Sequence, residues 1–80
     1  MDAAIAFGRV LRRLREDAGL TQEQIGFEAE LRRTYVSILE LGQQQPSLTT
    51  ILKLAQALNR SPGSLLDLVS EELKQDRKKK

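Results

Sequence analysis

The sequence predicts an all-α fold, a compact five-helix bundle, and three observations lead there. Apolar residues recur at helical spacing in five separate runs, most of them bounded by capping residues, glycine or asparagine. The only aromatics are Phe7, Phe27 and Tyr35, so the core must be built from Leu, Ile, Val and Ala, which suits packed short helices better than a β-sandwich. At 80 residues the chain is one domain, near the size at which a single core suffices.

The first helix spans Asp2 to Ala18, with Asp2 as N-cap, Gly19 as stop, and Phe7, Val10, Leu11, Leu14 and Ala18 on one stripe. Thr21-Gln22-Glu23-Gln24 fits a capping box and opens a short second helix with Ile25 and Ala29 inward. A third runs from about Arg33 to Leu41, turning Val36 and Leu39 inward, and Gly42 ends it. Gln43-Gln44-Gln45-Pro46 is a polar loop, after which Ser47 caps a fourth helix burying Leu48, Ile51, Leu54, Ala55 and Leu58. Asn59 supplies a left-handed stop, and Ser61-Pro62 starts a fifth helix reaching about Leu73. Residues 1–73 therefore form the domain, and 74–80 a charged tail expected to fray.

Composition narrows the function classes. With 40% apolar and 30% charged residues the chain folds, and no apolar run approaches the roughly 20 residues of a membrane span. No signal peptide precedes the first helix, and cysteine is absent, which fits the cytoplasm. Lacking both His and Cys, the chain has neither the commonest general base nor the commonest metal ligands. No catalytic, cofactor or metal site and no small-molecule substrate is predicted. The net charge of +2 owes much to Arg77-Lys78-Lys79-Lys80, so the distribution of charge matters more than its total.

The informative stretch is Gln22 to Leu41. Two helices separated by two or three residues cannot lie antiparallel; they cross steeply and leave the second outward, at a width that fits the DNA major groove. Here the chain resembles the phage-repressor and Cro-like (lambda-repressor-like) helix-turn-helix regulators. The segments carrying the likeness are Leu20-Thr21-Gln22-Glu23-Gln24-Ile25, Arg33-Thr34-Tyr35-Val36-Ser37, Leu39-Glu40-Leu41-Gly42, Pro46-Ser47-Leu48 and Leu52 to Leu58. The resemblance implies binding of double-stranded DNA as a small transcriptional regulator, a dimer on a pseudo-palindromic operator. It makes the third helix the recognition helix, with Arg32, Arg33, Thr34, Ser37 and Ile38 exposed and Arg33 the best reader of guanine. Gln22 would meet a phosphate at the start of the second helix, or merely occupy a capped turn. Tyr35 would lie at the sugar-phosphate edge or pack on the core edge; Gln43 and Gln44 would lie over the backbone or be plain loop. Arg15 and Glu40 match a structural pair of the family. The chain departs from the pattern at Glu30, where the family has glycine, at Arg32, where it has a serine or threonine cap, and at Ile38, where it is often polar.

On the fifth helix Leu65, Leu66, Leu68, Val69 and Leu73 spread over more circumference than one inward stripe needs, which suggests a two-fold homodimer interface. Stand-alone relatives of this size serve as restriction-modification controller proteins, or as antitoxins and phage-type repressors, and the sequence leaves both open. The alternative class is a protein-interaction module using the same helices.

Overall fold

A computed structural model describes residues 1–78, with side chains as far as Asp76. Five helices follow one another, α1 (Ala3–Asp17), α2 (Gln22–Ala29), α3 (Arg33–Glu40), α4 (Leu48–Ala57) and α5 (Pro62–Lys78), with no strand among the described residues.

Local chemistry sets the boundaries. The Asp2 carboxylate accepts from the Ile5 N–H at 2.9 Å, and Ser47 and Ser61 hydroxyls accept from the Thr50 and Ser64 N–H groups, both at 3.1 Å. The capping box is complete, since the Thr21 hydroxyl accepts from the Gln24 N–H at 3.0 Å while the Gln24 side chain accepts from the Thr21 N–H at 2.9 Å. Each such cap stabilises its helix by about 1 kcal/mol. Gly19, Gly42 and Asn59 close α1, α3 and α4 with positive φ.

Tertiary packing then fixes the frame. α1 lies against α3 and α5, α2 against α3 and α4, and α4 against α5. Val10, Leu11, Ile25, Val36, Leu39, Leu54 and Leu65 are 0% exposed and draw all five helices onto one core. Burying a side chain of this kind stabilises by about 1.5–3 kcal/mol. At one point helices meet backbone to backbone: a Cβ on Gly8 of α1 would lie 2.4 Å from the Leu39 carbonyl oxygen and 2.6 Å from that of Glu40. Only glycine lets α1 cross α3 at this depth.

Several expectations need correction. Leu48 is 70% exposed, because as the first residue of α4 it precedes the part of that helix that reaches the core. Thr50 is buried at this end instead. Ala18, the C-cap of α1, is exposed. α5 runs to Lys78 and not to Leu73. Its Glu, Lys and Gln are good helix formers, and Glu72 faces Arg13 at 3.3 Å and Arg9 at 3.8 Å on α1. The 74–80 segment is thus helical to Lys78, and 79–80 lie outside the described residues.

The expected dimer face also divides. Leu65 and Val69 belong to the chain's own core, and Leu68 and Leu73 pack partly buried against it. Only Leu66, 43% exposed, turns outward, since the stripe at 65, 69 and 73 already satisfies the inward side of α5.

Candidate nucleic-acid interface

The site begins with the turn between α2 and α3. Glu30 sits at φ 58° and ψ 41°, a left-handed conformation that costs a side-chain-bearing residue about 1–2 kcal/mol. In return the Leu31 N–H reaches the Gly26 carbonyl at 2.7 Å, ending α2 abruptly. Gly26 allows this closeness, because a Cβ there would fall 2.7 Å from the Leu31 carbonyl oxygen. Arg32 is extended and makes no side-chain cap, so α3 starts at Arg33 with the Arg32 side chain left exposed.

α3 is anchored through Val36 and Leu39. Arg33 and Thr34 are exposed, and Ser37 and Ile38 are half-buried beside them. Tyr35 is half-buried and packs against the core, so the core-edge alternative describes its ring. Gln43 and Gln44 are exposed just past α3, and the Gln43 N–H is tied to the Ile38 carbonyl at 3.1 Å.

A shallow concavity brings together residues distant in sequence: Arg15, Thr21, Gln22, Glu23 and Arg33 line it. It opens at the N-terminus of α2, where the capping box engages the Gln24 N–H and leaves those of Gln22 and Glu23 without helical partners. Such groups with an adjacent guanidinium suit an anion, and the Glu23 carboxylate on the same wall opposes one. At its back stands an ion pair. Arg15 grips Glu40 with Nε at 2.6 Å and Nη2 at 3.1 Å, and donates through Nη1 to the Leu20 carbonyl at 2.8 Å. The hydrogen bond to Glu40 outweighs desolvation and raises the Arg15 pKa above its ordinary value, so the guanidinium stays charged. Gln22 joins this pair, its Nε2 donating to Glu40 at 3.1 Å.

The structure thus gathers Gln22 and Arg33 in one concavity, exposes Arg32, Thr34, Gln43 and Gln44, and turns Tyr35 inward. Sequence reasoning missed Gly8 and Gly26, although a glycine inside a helical pattern is itself a sign of close approach. It also missed the bond from Gln22 to Glu40 and the outward position of Phe27 on α2, which is 84% exposed. Among the described residues no helix is long and apolar enough to cross a membrane.

The helix-turn-helix domain family matches residues 6–69 of this chain. The control protein C.BamHI of Bacillus amyloliquefaciens is 37% identical over 67 residues, covering 82% of this chain and 83% of that protein. The crystal structure of the restriction-modification controller protein C.AhdI from Aeromonas hydrophila matches at TM-score 0.75 and 47% identity, over 78% of this chain and 94% of that one. The controller protein C.Esp1396I, solved as a tetramer with its natural 35 base-pair operator, shares the fold at TM-score 0.82 and 21% identity, over 90% and 95% of the two chains.

Proposed function

This chain belongs to the helix-turn-helix domain family, and from that membership we propose that it is a non-catalytic transcriptional regulator of the controller type, binding specific double-stranded DNA in the cytoplasm. The observation that carries the reading is the outward face of α3, with Arg33 opening into the same concavity as the free N–H groups of α2. α3 enters the major groove; Arg33 reads guanine through a bidentate contact, Thr34, Ser37 and Ile38 meet neighbouring base edges, and Arg32 reaches phosphate. Gln22, Gln43 and Gln44 hold the backbone on either side, and the Tyr35 ring supports α3 from the core edge.

Two copies occupy half-sites about one helical turn apart. Leu66 is the one member of the α5 set left to contact a second copy. Similar proteins bear the names of restriction-modification control proteins, and one of the same fold was crystallised on its operator, which supports this role over that of an antitoxin.

Selection of bound duplexes from a random oligonucleotide pool tests the proposal. It should return a pseudo-palindrome, with affinity falling steeply as salt rises. Absence of enrichment at low salt refutes it. A second reading, docking of a partner protein, is favoured by the exposure of Phe27 between Glu23 and Glu28, and would survive that result.

A further inference from the structure

We infer that Glu40 is a positioning residue for DNA binding: it fixes which end of the Gln22 amide is presented at the concavity beside Arg33. The inference rests on the proposed phosphate contact of Gln22.

The Glu40 side chain is 4% exposed and that of Arg15 11%, so the pair, with Arg15 still bordering the concavity, is largely withdrawn from water. Its carboxylate belongs to α3, Arg15 to α1 and Gln22 to α2, so one group ties three helices. Arg15 is itself held by the Leu20 carbonyl, which prevents the carboxylate from following a wandering amide. A carboxylate only accepts hydrogen bonds, and a carboxamide has a donating end and an accepting end. The Gln22 nitrogen must therefore face Glu40, at 3.1 Å.

That orientation has a consequence at the surface. One N–H of the amide is spent on Glu40, and the second remains for an anion at the N-terminus of α2. An amide flipped the other way would offer oxygen to a phosphate and repel it. The side chain is also ordered before DNA arrives, so binding need not immobilise it. Glu40 touches no DNA in this arrangement and acts through Gln22.

Two measurements test this. In the native protein, one side-chain N–H of Gln22 should exchange with solvent more slowly than those of the exposed loop residues Gln43, Gln44 and Gln45. Indistinguishable exchange overturns the inference whatever the variants do. Binding of a random-sequence duplex at low salt should weaken roughly threefold to tenfold in Gln22→Ala, as for loss of one hydrogen bond. Glu40→Gln, whose neutral amide permits the flip, should lose about as much, and the double variant no more than either single one. Multiplying losses in the double variant overturn the positioning role and leave the Gln22 contact standing. An unchanged affinity in Gln22→Ala removes that contact and this inference with it, while native protein that binds no duplex removes the proposed function too. If Glu40→Gln does not fold, Glu40→Asp keeps the charge opposite Arg15 but draws the carboxylate back by one methylene, and the same coupling is expected of it.

Discussion

Gly8→Ala should destabilise the domain although alanine is the better helix former. The favourable side of the substitution amounts to about 0.5–1 kcal/mol, from reduced freedom of the unfolded chain. Against it, the new methyl would sit 2.4 Å from the Leu39 carbonyl oxygen, 2.6 Å from that of Glu40 and 2.9 Å from the Glu40 carbonyl carbon. These are backbone atoms of a packed helix, which cannot rotate aside as a side chain would. α1 and α3 must separate, and overpacking of this kind costs roughly 1–3 kcal/mol, here near the upper end. The net loss is about 2 kcal/mol, which for a domain of this size lowers the melting temperature by roughly 8–16 °C. Gly63→Ala is the matched control, since α5 leaves open space around that position and the same gain is unopposed. Thermal unfolding followed by circular dichroism at constant pH should move the two variants in opposite directions. Equal shifts, or a Gly8→Ala protein as stable as the parent, would refute the argument that α3 is seated by backbone contact.

Other expectations follow from single residues. Glu30→Gly should raise stability by about 0.5–1 kcal/mol in urea titrations, because the left-handed strain exceeds the weak exposed pair Glu30 makes with Lys53 at 3.9 Å; a lower midpoint would contradict it. Leu54→Ala should cost about 2–5 kcal/mol through a cavity in the core, and an unaltered denaturation midpoint would show the site is not packed. Arg33→Ala should weaken specific binding by about 1–3 kcal/mol and relax preference at one base pair in a competition assay, whereas uniform loss on all sequences would make it a phosphate contact. Leu66→Asp should shift sedimentation equilibrium at tens of micromolar toward the monomer, and an unmoved mass would exclude α5 from the interface between copies.

What the sequence disclosed, and what it hid, divides along the range of the interactions. Asp2, Thr21, Ser47 and Ser61 cap helices through bonds to backbone three residues on, so their spacing alone identifies them. Glu30 and Arg32 stood out only against the pattern of the family that the chain resembles, as departures from its glycine and from its serine or threonine cap. Periodicity located the inward stripe of each helix from α1 to α4, but not where along its length the core ends, hence the misplacement of Leu48. It likewise could not separate Leu65 from Leu66, since which of two adjacent leucines turns inward depends on how α1 and α4 lie against α5. The contact of Gln22 with Glu40 joins residues 18 apart through the crossing of α2 and α3, and no local pattern announces it. Exposure was legible for Arg32, Arg33 and Thr34, whereas Ser37 and Ile38, expected exposed, are half-buried; chemical role was not legible, because a solvated arginine and a reading arginine look alike without a ligand.

The contact at Gly8 bears on how readily such a domain changes its target. The helix offered to DNA takes its alignment from main-chain atoms and from Val36 and Leu39, none of which belongs to the surface that would touch bases. On the proposed reading, alignment and choice of sequence are therefore encoded by separate residues. If Arg33, Thr34, Ser37 and Ile38 read the operator as proposed, mutational drift there retunes the address while the chassis stays true, and one scaffold serves many operators without being rebuilt.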